Sequence, residues 1–185
     1  MKNAIIVHGT GGNPDENWFQ WLKWELETLW ISTIVPDFWD DEFPDIEKWK
    51  KIFSEYEKDI TWETLLIGHS LWGAFLLKFL QSFQHKVYLL ATVWSPVWVK
   101  PIRFYEGDNT FLNGFDFDWD QIKNKMQHKI VFHSDDDPYV SLWNGKELAQ
   151  NIDTELIFIP SAGHFNTDSW YTQFPRLLTE IKRYL

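Results

Sequence analysis

A parallel α/β sheet of about six strands, covered by helices on both faces in three layers, is the fold class this sequence predicts. Two observations carry it. Short apolar, β-capable runs alternate with segments whose apolar residues recur at helical spacing, and this alternation persists from end to end. Each run also empties into a cluster of glycine, proline, aspartate or serine, as strand ends do. At 185 residues, without repeat, linker or low-complexity tract, residues 1–185 read as a single domain with a sizeable core.

Residues 3–7 form a first strand that opens into His8-Gly9-Thr10-Gly11-Gly12-Asn13-Pro14, a loop of turn formers. Helical spacing follows over 18–29, at Trp18, Trp21, Leu22, Leu26 and Leu29. A second strand over 31–35 is stopped by Pro36-Asp37. Pro44 suits the first turn of the next helix, Asp45 and Glu47 favour its positive dipole end, and the helix extends to about Lys58. The third strand, Thr64-Leu65-Leu66-Ile67, enters Gly68-His69-Ser70, and Leu71 opens a helix with Phe75, Leu76, Phe79 and Leu80 on its apolar face.

A fourth strand spans 86–93, and 95–113 is irregular, too short for a large lid. A short helix near 118–126 leads to a fifth strand over 129–133 and the acidic turn Ser134-Asp135-Asp136-Asp137-Pro138. Ser141 is placed to cap a helix ending near Asn151. The sixth strand, 155–159, ends at Pro160-Ser161-Ala162-Gly163-His164, and 174–185 reads as the closing helix.

The strand–turn–helix around Ser70 is the arrangement that nucleophilic catalysis needs. A tight turn pushes the hydroxyl beyond the sheet, and the helix that follows aims unpaired N–H groups at any oxyanion formed there. In a parallel sheet the loops at the strand C-termini share one edge, so Ser70 after strand three, Asp137 after strand five and His164 after strand six fall together. Serine needs a neighbouring imidazole to take its proton, histidine titrates near neutrality, and a carboxylate fixes the histidine tautomer. The chain order Ser, Asp, His is that of α/β-hydrolases. Leu71, after the serine, and Thr10, in the first loop, are the expected backbone donors of an oxyanion hole.

Other readings of these residues are weaker. Three consecutive carboxylates lack the spaced oxygens of a calcium site, and the first loop has neither a dinucleotide fingerprint nor a P-loop lysine. No metal and no organic cofactor is expected. A formal charge of −10 argues against nucleic acid and anionic membranes as partners, leaving a small neutral or cationic substrate open. The chain has no cysteine, no secretory leader and no membrane-length apolar run, so a cytoplasmic location is expected.

Taken together, His8-Gly9-Thr10-Gly11-Gly12, Trp18-Phe19-Gln20-Trp21-Leu22, Val35-Pro36-Asp37, Gly68-His69-Ser70, His133 to Pro138 and Ala162-Gly163-His164-Phe165-Asn166 carry a resemblance. The chain resembles the small lidless α/β-hydrolases of the retinoblastoma-binding protein 9 and YdeN type over nearly its whole length. The resemblance implies a serine hydrolase with Ser70 as nucleophile, His164 as base and Asp137, directly before the proline, as its partner. It implies action on small carboxylic esters or activated amides.

Two residues depart from that pattern. Trp72 stands where the nucleophile elbow has a small residue, with Gly73 one place late, and Trp30 stands where glycine closes a helix with a left-handed cap. A catalytically impaired hydrolase-fold binding protein is therefore the alternative function, with Trp72 overpacking the elbow. Thirteen tryptophans are also many for this length. Trp18, Trp21, Trp49 and Trp119 fall in helical stretches and read as core; Trp30 and Trp72 raise the reading that a glycine codon has been translated as tryptophan, which codons 30 and 72 of the gene test. Trp94, Trp98, Phe104 and Phe111 are candidates for an apolar acyl pocket.

Overall fold

The computed structural model describes residues 2–9, 11–38, 46–93 and 117–185. Six parallel strands form one sheet in the order β2-β1-β3-β4-β5-β6. They are β1 (Asn3–Val7), β2 (Ser32–Ile34), β3 (Thr64–His69), β4 (Val87–Val93), β5 (Met126–His133) and β6 (Leu156–Phe158). The helices are α1 (Phe19–Thr28), α2 (Ile46–Glu57), α3 (Leu71–Ser82), α4 (Trp119–Lys123), α5 (Leu142–Asn151) and α6 (Pro175–Lys182).

Burial follows from this layering. Strand β3 is buried at all six positions, because a central parallel strand has helices above and below it, whereas β6, at the edge, is partly exposed. On one face α1 and α6 bring Phe19, Leu22, Leu26, Leu177 and Ile181 onto Ile6, Leu65 and Ile67. On the other, α2, α3 and α5 bring Trp49, Phe53, Phe75, Leu76 and Leu148 onto Ile5, Leu66 and Leu90. Each such side chain, fully withdrawn from water, contributes roughly 1.5–3 kcal/mol before the entropy of ordering it.

The strand order also locates the crevice. From β1 the chain goes to β2 on one side and to β3 on the other, so β1 and β3 flank a topological switch point where their loops diverge. The glycine-rich loop after β1 and Ser70 after β3 lie there. Among the described residues no helix is long and apolar enough to cross a membrane.

Several boundaries differ from the sequence reading. Strand β5 begins at Met126 because the register with β4 starts at the Val87–Met126 pair, a tertiary pairing that the polar stretch Gln127-His128-Lys129 conceals. The short helix α4 is capped by Asp118, whose carboxylate accepts from the Gln121 N–H at 3.0 Å. Ser141 occupies the cap position of α5, but its side chain makes no cap hydrogen bond. Trp30 has φ 63°, and Ile31 N–H reaches back to Leu26 O at 3.1 Å, so the helix closes through the left-handed cap its position predicts. Pro44, Asp45, residues 95–113 and the four aromatics Trp94, Trp98, Phe104 and Phe111 lie outside the described residues.

Candidate active site

Ser70 occupies a sharp strand-to-helix turn with φ 60° and ψ −138°, a backbone conformation that a non-glycine residue adopts only when its surroundings impose it. Two contacts impose it. Ser70 N–H donates to Val93 O on β4 at 2.9 Å, and Ser70 O accepts from Gly73 N–H at 3.0 Å as the first turn of α3. A third constraint is steric: a Cβ on Gly68 would lie 2.7 Å from Gly73 Cα, so helix and strand approach at a Gly68–Gly73 contact. The glycine that lets this elbow close is therefore Gly73. The close approach expected of residue 72 is made by Gly73. The Trp72 indole is fully buried in the core between the sheet, α2 and α3, with its ring centroid 3.6 Å from that of Trp49 and 4.1 Å from that of Phe38.

His164 and Asp137 meet as expected. His164 Nδ1 lies 3.0 Å from Asp137 Oδ2, and Asp137 Oδ1 accepts from the N–H groups of Tyr139 at 2.8 Å and Val140 at 3.1 Å. Burial pushes Asp137 up to about 6, opposed by those two N–H donors, and burial pushes His164 down to about 3. At neutral pH the contact is thus a hydrogen bond from a neutral imidazole to a carboxylate. That state leaves the Nε2 nitrogen of His164 unprotonated.

Ser70 and His164 line the same cleft of about 440 Å³, with Gly9, Gly11, Gly12 and His69. Leu71 N–H is the first of α3 and has no preceding helical turn to supply it with a carbonyl partner. The other expected oxyanion donor, Thr10, lies outside the described residues, but the preceding residue is held tightly. Phe38 N–H donates to His8 Nε2 at 3.1 Å, which puts the ring proton of His8 on Nδ1, and Nδ1 donates to Gly9 O at 2.9 Å. Gly12 N–H donates to the same oxygen at 3.1 Å. His8 is fully buried, and that burial lowers its pKa, as a neutral bracing role requires.

The acidic turn does more than supply Asp137. Asp135 Oδ1 accepts from Ser161 N–H at 2.9 Å, and Asp136 Oδ1 accepts from Gly163 N–H at 2.7 Å and from the Ser134 hydroxyl. Sequence reasoning gave Asp135, Asp136, His8 and His69 no role of their own. The signal for the aspartates was their position beside a second turn at the same sheet edge. Nothing local marks His8 or His69, whose partners are 30 and 95 residues away. Among the described residues no group of three or more histidines and carboxylates is arranged to hold a metal ion.

Comparison with known proteins gives the family and the fold. The family model described as serine hydrolase matches residues 4–183. The YdeN protein of Bacillus subtilis (strain 168) is 28% identical over 183 residues, covering 99% of this chain and 96% of that protein. The serine hydrolase RBBP9 of Rattus norvegicus is 27% identical, covering 98% of this chain and 95% of that protein. The crystal structure of the B. subtilis ydeN gene product superposes with a TM-score of 0.88 at 26% identity, covering 100% of this chain and 98% of that one. The esterase domain of a Rhodothermus marinus protein shares the fold, with a TM-score of 0.71 at 21% identity over 98% of this chain and 87% of its own.

Proposed function

Because the chain belongs to this serine hydrolase family, we propose that Ser70, His164 and Asp137 are its catalytic triad and that it hydrolyses small carboxylic esters or activated amides. The observation that carries the reading is the 3.0 Å contact of His164 Nδ1 with Asp137, at the cleft where Ser70 stands in its strained turn. Ser70 Oγ adds to the substrate carbonyl while His164 Nε2 takes its proton. The carbonyl oxygen becomes an oxyanion held by the backbone N–H groups of Leu71 and Thr10. The intermediate collapses to an acyl-enzyme as His164 returns the proton to the departing alcohol or amine. Water, deprotonated by the same imidazole, then adds to the acyl carbon and Ser70 leaves, giving the carboxylic acid. Asp137 holds the Nδ1–H tautomer and stabilises the imidazolium formed in each half. The cycle calls for no metal and no organic cofactor.

The chain's strong negative charge supports a small-molecule substrate rather than nucleic acid or an anionic membrane. The impaired-binder alternative loses its main support where Gly73, and not residue 72, makes the close approach to Gly68. Intact-mass analysis after fluorophosphonate treatment tests the proposal, with p-nitrophenyl acetate turnover beside it. One equivalent of label that vanishes in Ser70→Ala is the expected result. A parent that neither labels nor turns over substrate refutes it.

A further inference from the structure

The loop that carries the base is held in an unfavourable conformation. Ser161, Gly163 and Phe165 have φ of 56°, 51° and 51°, so three of five consecutive residues are left-handed and two of those carry side chains. Conformations of this kind persist only where surrounding contacts over-determine them. The N–H side of the loop is held by the acidic turn, through Asp135, Asp136 and the Ser134 hydroxyl, which takes Ala162 N–H at 3.0 Å.

The carbonyl side is held by two ring N–H groups from a different part of the fold. His69 Nε2 lies 2.9 Å from His164 O, and Trp18 Nε1 donates to Phe165 O at 2.9 Å. A carbonyl oxygen only accepts, so the proton of His69 is on Nε2 and its Nδ1 is bare; among the described residues Nδ1 has no hydrogen-bond partner. Burial is the main reason the His69 pKa falls, to about 3, so the ring is neutral and donates one bond in one direction. Both rings are buried, at 2% and 0% exposure, and they meet edge to face with centroids 6.1 Å apart. Trp18 is itself fixed by edge contacts to Phe19 and Phe174.

We propose that His69 and Trp18 are positioning residues for the catalytic base, holding the adjacent carbonyls of His164 and Phe165 so that the imidazole faces Ser70. The covalent arrangement gives His69 particular weight. It is the residue before the nucleophile, so one peptide bond and one hydrogen bond link Ser70 to the backbone of His164. The nucleophile and its base are registered to each other through His69 and not only through the sheet. Without that bond the left-handed turn can relax, and a displacement of about 1 Å at a reacting group can lower rate about a hundredfold.

The inference rests on the triad reading, and its test separates the two. His69→Phe keeps a planar ring and removes the donor; His69→Gln places an amide N–H close to the Nε2 position; Trp18→Phe removes the indole N–H while keeping an aromatic body. Each is compared with the parent for fluorophosphonate labelling rate, for kcat and KM on p-nitrophenyl acetate, and for the low-field proton NMR resonance of His164 Nδ1–H. His69→Phe should slow labelling about tenfold to a hundredfold, lower kcat with KM little changed, and erase the resonance. His69→Gln should restore most of the rate and the resonance, and Trp18→Phe should lose rate in the same direction.

The proposal is overturned if His69→Phe labels at the parental rate with the resonance intact, or if His69→Gln is as slow as His69→Phe, since the ring's bulk would then matter and not its proton. Should His69→Phe fail to fold, an unchanged labelling rate in Trp18→Phe overturns it. A parent that shows the resonance but takes no label refutes the hydrolase reading alone. In that case loss of the resonance in His69→Phe and its return in His69→Gln still support the positioning role.

Discussion

Replacing Trp72 by glycine gives the elbow the small residue usual at that place, yet the structure predicts that it harms the protein. The indole is fully buried, stacked within 15° of parallel on Trp49 and packed on Phe38 and Phe75. Truncating such a side chain to alanine typically costs about 3–5 kcal/mol, the cavity included, and glycine in a helix adds about 1 kcal/mol or less. One term runs the other way. Trp72 Nε1 is buried with no hydrogen-bond partner among the described residues, and removing an orphan donor returns about 1–3 kcal/mol. The net expectation is a loss of about 1–5 kcal/mol, read as a lower urea midpoint with unchanged slope. Because Gly68 and Gly73 form the close contact and Ser70 N–H is anchored on Val93, the folded fraction of Trp72→Gly should still label with fluorophosphonate within a few-fold of the parental rate. A variant that is both more stable and markedly faster would refute this reasoning, because it would show the indole straining the elbow.

Three further outcomes are expected. The active form needs neutral His164 and ionised Asp137; since Asp137 is raised to about 6 and His164 lowered, kcat/KM should fall on acidification with a midpoint near 6 and stay level above it. An acid limb centred above about 7 would contradict the assignment. Gly163→Ala puts a Cβ against Ser169 Oγ in a left-handed residue, and should lower stability by about 1–3 kcal/mol and slow labelling, both checked against the parent by denaturation and intact mass. Trp30→Gly and Trp170→Gly should each raise stability by up to about 1–2 kcal/mol, because φ of 63° and 66° is strained for tryptophan and the side chains are 87% and 92% exposed, with little burial to lose; melting temperatures at or below the parent's would show that strain to be absent.

The sheet was legible because each strand is a short apolar run closed by turn formers, and the meeting of His164 with Asp137 at the Ser70 cleft because a parallel sheet carries the ends of β3, β5 and β6 to one edge. What sequence did not show depends on pairings that no local pattern encodes. The start of β5 is set by its register with β4. Likewise Trp18 has the spacing of a core residue and packs as one, yet its N–H reaches Phe165 O, 147 residues away. His69 sits inside the motif that identifies Ser70, but its partner is a backbone carbonyl, and backbone atoms leave no signature in a sequence. The elbow was misread for a related reason. Counting from the serine names residue 72 as the contact, whereas the geometry around Gly68 assigns it to residue 73.

Tryptophan at glycine-like places now divides into two kinds. Trp30 and Trp170 sit at left-handed residues that close a helix and a 3₁₀ turn, project into solvent, and in those conformations gain nothing from an indole. Trp72 has an ordinary helical place and aromatic neighbours shaped around it. A glycine codon translated as tryptophan accounts for the first two directly, and Trp170 joins the pair on backbone geometry alone. Trp72 differs in kind, since its ring fills space between Trp49 and Phe38 that glycine would leave empty. Codons 30, 72 and 170 of the gene are therefore the informative ones. If all three are ordinary TGG, the recoding idea fails, and the strain at the turns of Trp30 and Trp170 belongs to the native protein as a local loss of stability.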